Sequence, residues 1–118
     1  MKTEYAHVTA FVTKDGSEIR ELMHPAQHDN RNQSLAEAIV APGQTTRLHW
    51  HGQSEELYHI TAGHGRMTLG EQQFDVGPGQ TICIPPGTPH CIANTGTELL
   101  RILCCCAPPY AHDDTELL

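Results

Sequence analysis

The chain has 118 residues, of which 14 are acidic and 7 are lysine or arginine, so its formal net charge is −7. This charge disfavours nucleic acid and anionic membrane surfaces as partners, because both are bound through clustered cations. Aromatic residues make up only 5% of the chain, which leaves no platform for stacking bases. The nine histidines are many for this length and require an explanation.

Cysteine usage and the first residues of the chain both favour a cytoplasmic protein. No segment is predicted to span a membrane, and Glu4 and His7 interrupt the region where a signal peptide is apolar. The five cysteines are odd in number and match no CxxC motif. We interpret all five as buried thiols, including Cys83 and Cys91 in apolar segments and the adjacent Cys104, Cys105 and Cys106. The alternative is a reactive thiolate, or a strained disulfide among the three neighbours.

Turn residues divide the chain into many short segments. Residues 17–23, near the start, are compatible with a strand or a helical turn. Further strands are predicted at 35–40, 45–51, 56–61, 66–69, 73–76, 81–84, 90–93 and 98–105. The intervals leave no room for crossover helices, so the pattern predicts an all-β sandwich or barrel.

The organisation predicted from this pattern is a single domain. Residues 1–30 form an N-terminal arm of short elements, residues 31–107 form the barrel, and residues 108–118 form a polar tail on the surface. We expect Asp113 and Glu116 to cap a last short turn in this tail.

Histidines and a carboxylate occur at spacings typical of metal ligands. Alternation along the strand at 45–51 places Arg47, His49 and His51 on one face. A turn at 52–54 brings Glu56, on the following strand, beside the two histidines. His90 follows the proline-rich turn at 85–89, whose restricted backbone fixes the direction of the chain.

These residues fall into two segments that resemble the two motifs of the cupin family. The matching positions are Gly43, His49, His51, Glu56 and Gly63 in the first, and Gly79, Pro85, Gly87, His90 and Asn94 in the second. The chain is similar to small single-domain cupins of the mannose-6-phosphate isomerase-like group. That label describes a likeness of fold and is poor evidence for sugar isomerisation.

The resemblance implies a cupin double-stranded β-helix, which is a jelly-roll barrel, with a metal bound inside it. The implied ligands are His49, His51, Glu56 and His90, and Glu55 replaces Glu56 if a bulge shifts the register. Three imidazoles and one carboxylate suit one divalent transition metal, namely Fe, Mn, Zn, Ni or Cu. Dimerisation is common in the family, so we also expect a homodimer, with Trp50 as a candidate interface anchor.

Two further residues are candidate catalytic groups. Arg47 is predicted to clamp an anionic group of the substrate, or else to lie solvated at the rim. Tyr58 shares a face with Glu56, so it either hydrogen-bonds the substrate or packs in the core. The sequence predicts a small metalloenzyme of oxygenase or isomerase type acting on a small polar molecule. A non-catalytic small-molecule or metal-binding module is the alternative.

Overall fold

The computed structural model describes all 118 residues and is built almost entirely of strands, which confirms the all-β prediction. Two short 3-10 turns occur at Tyr5–His7 and His112–Asp114, and no helix has the length and apolar character needed to cross a membrane. The strands, in chain order, are β1 (Phe11–Val12), β2 (Glu18–Met23), β3 (Ser34–Val40), β4 (His49–His51), β5 (Glu55–Ala62), β6 (Gly65–Leu69), β7 (Gln72–Val76), β8 (Thr81–Ile84), β9 (His90–Asn94), β10 (Leu100–Ala107) and β11 (Thr115–Leu117).

The strands form two antiparallel sheets. The six-stranded sheet has the order β1-β2-β3-β10-β5-β8, and the five-stranded sheet has the order β11-β4-β9-β6-β7. Several neighbours in each sheet are distant in the sequence, as in β3 beside β10 and β4 beside β9. This non-local pairing is typical of jelly-roll topology.

Both ends of the chain take part in these sheets. Residues 17–23, for which the sequence allowed a strand or a helical turn, contain strand β2, which pairs with β3. The tail contains a short turn at His112–Asp114, but Asp113 and Glu116 do not cap it as predicted, because the turn begins after Ala111 and has no side-chain cap. A strand, β11, follows, in which Thr115 pairs with His51. The tail is therefore part of the five-stranded sheet and not only a surface segment.

The core lies between the two sheets and follows from the alternation of side chains along each strand. Ile60 and Ile102 face inward from the six-stranded sheet, and Met67 and Ile92 face inward from the five-stranded sheet. All four are at most 1% exposed and belong to one apolar cluster. This cluster fixes the distance between the sheets and so the position of the polar groups beside it.

The turn between β5 and β6 requires glycine. Gly63 has a φ of +83°, and a Cβ atom there would lie 2.6 Å from the carbonyl oxygen of Leu99. At Gly65, a Cβ atom would lie 2.7 Å from the carbonyl oxygen of Ala93. Any larger residue at either position would therefore collide with the backbone of a neighbouring strand.

One predicted strand is shorter than expected. Of residues 45–51, only His49–His51 form a continuous strand, and Thr45 makes an isolated bridge to Ala93. Thr46 is buried, Arg47 and Leu48 are exposed, and His49 is buried again, so alternation fails over this stretch. Because of this irregularity, the side chain of Arg47 is exposed and does not point inward with that of His49.

Candidate metal centre

The structure brings the four predicted ligands together in the interior. The ligand atoms of His49, His51, Glu56 and His90 all lie within 4.8 Å of one another. None of the four residues is more than 5% exposed. Glu55, the alternative carboxylate, is exposed and faces away, so the register selects Glu56.

The two sheets contribute different parts of this cluster. His49 and His51 lie on β4, and His49 is paired with His90 at the start of β9. Glu56 lies on β5, in the opposite sheet. The rings of His49 and His90 are 4.2 Å apart between centroids, and those of His49 and His51 are 5.1 Å apart. The cluster therefore bridges the two layers of the fold.

The backbone fixes the orientation of two imidazole rings. Nδ1 of His49 lies 2.8 Å from the carbonyl oxygen of Arg47, and Nδ1 of His90 lies 2.9 Å from that of Thr88. A carbonyl oxygen only accepts hydrogen bonds, so each Nδ1 must carry a proton and donate it. In the neutral ring, Nε2 then has a free lone pair, which is the form that binds metals.

A threonine from the tail orients the third ring in the same way. The hydroxyl of Thr115 donates to the carbonyl oxygen of Ala111 over 2.9 Å. Its oxygen also lies 2.9 Å from Nδ1 of His51. Since the hydroxyl proton is already used, His51 donates from Nδ1 and Thr115 accepts. All three imidazoles thus leave Nε2 free to bind an ion.

Glu56 lies among these rings as a buried carboxylate. Its Oε1 is 3.3 Å from Nε2 of His51 and 3.4 Å from Nε2 of His90. Burial alone would raise its pKa, but hydrogen bonds and charge from His51 and His90 outweigh this effect and lower the pKa to about 2 when those rings carry a proton on Nε2. A bound cation would take the place of those protons. For His49, burial first and then the proximity of His90 lower the pKa, which favours the neutral ring.

The donor set fits a divalent metal ion. With Nδ1 as the donor, the Nε2 lone pairs and Glu56 Oε1 face one another without a proton between them. Glu56 Oε1 and His90 Nε2 are indeed buried and have no hydrogen-bond partner. Unpartnered buried polar atoms are costly, and a cation among them would satisfy both. Imidazole and carboxylate donors suit transition metals.

Cys106 holds the second oxygen of the carboxylate. Its Sγ donates to Oε2 of Glu56 over 3.2 Å. Burial and the nearby Glu56 charge raise the pKa of the Cys106 thiol, so the sulfur keeps its proton and remains a donor. All five cysteines are free, and Cys104 and Cys106 are buried as predicted. Cys83, which was also predicted to be buried, is exposed.

A cavity of about 50 Å³ opens beside the cluster. His49, His51 and Glu56 line it, together with Tyr58, which is 5% exposed. The ring of Tyr58 lies edge-on to that of His90, with centroids 6.0 Å apart. Burial, and secondarily the Glu56 charge, raise the pKa of Tyr58, so it remains a neutral phenol. Tyr58 thus both lines the cavity and packs in the core, and its contact with a substrate stays a prediction.

Arg47 does not join these residues. It is exposed and does not line the cavity, so the prediction that it shares the inward face with His49 and His51 was wrong. The physical reason is the irregular backbone before β4, where the N–H of Arg47 donates to the carbonyl oxygen of Asp15. Arg47 instead contributes its own carbonyl oxygen to orient His49.

Several cavity residues were not found by sequence reasoning. Glu21, Tyr110 and Thr115 come from β2 and the tail, outside both cupin motifs. Alternation along 18–23 could have placed Glu21 beside Ile19 on the inward face, once that segment was taken as a strand. No local signal marks Tyr110 or Thr115.

Trp50, the candidate interface anchor, is half-buried and its indole N–H donates to Glu116.

Comparison with known proteins identifies the family. A model of the cupin domain matches residues 36–106. This chain belongs to the cupin family. An uncharacterized protein of Methanocaldococcus jannaschii is 55% identical over 118 residues, which span all of this chain and 94% of that protein.

Solved structures of cupins share the fold. Pac13 of Streptomyces, a nucleoside dehydratase, superposes with a TM-score of 0.80 at 17% identity, over 100% of this chain and 90% of that one. Oxalate decarboxylase of Bacillus subtilis superposes with a TM-score of 0.83 at 23% identity, over 100% of this chain and 32% of that one. At these identities the likeness establishes the jelly-roll cupin fold alone.

Proposed function

We propose that this cupin is a small metalloenzyme of oxygenase or isomerase type that binds one divalent transition metal and acts on a small polar molecule. His49, His51, Glu56 and His90 would hold the ion. The observation that carries the proposal is the pair of buried, unpartnered atoms, Glu56 Oε1 and His90 Nε2, among converging ligands. A bound ion would supply Lewis-acid catalysis or, if it is redox-active, chemistry with O₂.

The size of the cavity restricts the substrate. A cavity that encloses benzene measures about 150 Å³, so the enclosed space of about 50 Å³ here favours a small substrate. Pac13 and the oxalate decarboxylases are enzymes of different reaction classes on this fold. The small volume favours a substrate nearer in size to a short organic acid than to a nucleoside.

The proposal is tested by asking whether an added ligand can reach the ion. The protein is loaded with Co²⁺, whose visible absorption depends on its ligands, and is titrated with azide. Four protein ligands leave room on a six-coordinate ion, so we expect a saturable spectral change. An unchanged spectrum would mean a closed coordination sphere and a structural or storage role for the metal.

A further inference from the structure

Three carboxyl side chains line the cavity, and only two of them have partners in the protein or the proposed centre. Oδ1 of Asp15 accepts hydrogen bonds from the backbone N–H and the hydroxyl of Ser17, over 2.9 and 2.6 Å. Glu56 belongs to the candidate metal centre. The third, Glu21, is only 9% exposed, and its Oε2 is fully buried without a hydrogen-bond partner.

No cation neutralises Glu21 directly. It takes part in none of the five ion pairs of the structure. Lys14, which also lines the cavity, instead donates from Nζ to the carbonyl oxygens of His112 and Thr115. Burial raises the pKa of Glu21, and His24 and His28, which follow it on the chain, only partly oppose this effect.

Two neutral groups lie near Glu21 from other elements, and none of its neighbours pairs with it. Burial raises the pKa values of Cys104 on β10 and of Tyr110 in the tail, so both keep their protons at neutral pH. His7 and His28 line a second cavity beside Glu21 without forming an ion pair with it. A carboxyl group placed in such surroundings destabilises the folded protein. Destabilising features of this kind, such as a buried carboxyl group without a partner, are concentrated at functional sites.

We propose that Glu21 binds the substrate at the wall of the cavity away from the metal centre, and that the substrate is a small organic anion carrying a hydroxyl group. This inference rests on the proposed function. A divalent ion with the single charge of Glu56 leaves a positive centre, which attracts an anionic oxygen. A hydroxyl both donates and accepts hydrogen bonds, so it pairs with Glu21 whether or not the carboxyl is protonated.

The test compares two acids that differ by one hydroxyl group, 3-hydroxypropionate and propionate. Their affinities for the Co²⁺-loaded protein are measured by calorimetry in the wild type and in Glu21→Met, which fills the same space without a hydrogen-bonding group. Glu18→Met is the matched control, because Glu18 lies on the same strand but faces outward. Bound Co²⁺ is counted in every variant.

We expect the wild type and Glu18→Met to bind 3-hydroxypropionate about tenfold or more tightly than propionate, as one hydrogen bond to a carboxyl group provides. Glu21→Met should lose this preference and keep its Co²⁺. The inference is overturned if the wild type shows no preference, if Glu21→Met retains it, or if Glu21→Met loses the ion. Failure of the wild type to bind Co²⁺ would instead reject the metal centre itself.

Discussion

Glu21 and Glu56 are both buried carboxyl groups, but their surroundings shift their pKa values in opposite directions. Contacts with His51 and His90 lower the pKa of Glu56 to about 2, so this group is charged and attracts a cation. Burial raises the pKa of Glu21. The first carboxylate is therefore suited to a cation, while the second is proposed to bind the ligand at a cost in stability.

Replacing Glu21 by glutamine should stabilise the protein at neutral pH. Because the pKa is higher in the folded state, folding favours the protonated form, and the charged form is penalised above the folded-state pKa. The Glu21→Gln variant should raise the free energy of unfolding by about 1 kcal/mol at pH 7. The gain should vanish as the pH falls below the ordinary value of 4.5, where both states are protonated. Urea unfolding at several pH values measures this, and a loss of stability at neutral pH would contradict it.

The cysteines should differ in reactivity according to burial. Cys83 is exposed, whereas Cys104 and Cys106 are buried with raised pKa values. Only the thiolate reacts with disulfide reagents. We expect such a reagent to label Cys83 in the native protein and to reach Cys104 and Cys106 only after unfolding, as peptide mass mapping would show. Rapid native labelling of Cys106 would mean that its bond to Glu56 is not maintained.

At the level of strands, the sequence predicts the placement of side chains most accurately where local alternation and motif spacing agree. His49, His51 and Glu56 were placed correctly because β4 and β5 are regular at those positions. Arg47 was misplaced because the chain at 45–48 makes only an isolated bridge, and no residue there marks the break.

The residues that complete the site come from strands near the two ends of the chain, outside both motifs. Glu21 reaches the cavity because β2 pairs with β3, and Thr115 reaches His51 because β11 pairs with β4. Such pairings depend on how the whole sheet assembles, and neither β2 nor β11 carries a motif. The sequence therefore predicted the cluster of four side chains but neither the wall of the cavity nor the partner of His51.

Strand β11 should contribute to metal affinity through Thr115. The Thr115→Val variant removes the oxygen that accepts from Nδ1 of His51 and leaves the ring without its orienting partner. We expect metal affinity to fall roughly 10- to 100-fold, as is typical when a partner of a ligating histidine is lost. Competition with a chromogenic chelator measures the affinity. Thr115→Ser keeps the hydroxyl and is the control, and an equal loss in both variants would point to packing instead.

Across the whole molecule, the four candidate ligands connect the two sheets. His49, His51 and His90 belong to the five-stranded sheet and Glu56 to the six-stranded sheet. The apolar cluster beside them sets the spacing of the layers without any metal. The fold thus positions the candidate ligands in advance, and an ion would add stability only by binding to the folded state.

The most direct test of the account is the metal content of the protein and of two adjacent glutamate variants. Glu56→Gln removes the charge of the buried carboxylate, and Glu55→Gln makes the same change at an exposed neighbour. Elemental analysis after purification and loading with Co²⁺ should find about one ion per chain in the wild type and in Glu55→Gln, and a strongly reduced content in Glu56→Gln. A wild type that binds no ion, or a Glu56→Gln variant that binds one as tightly, would contradict the assignment of the centre.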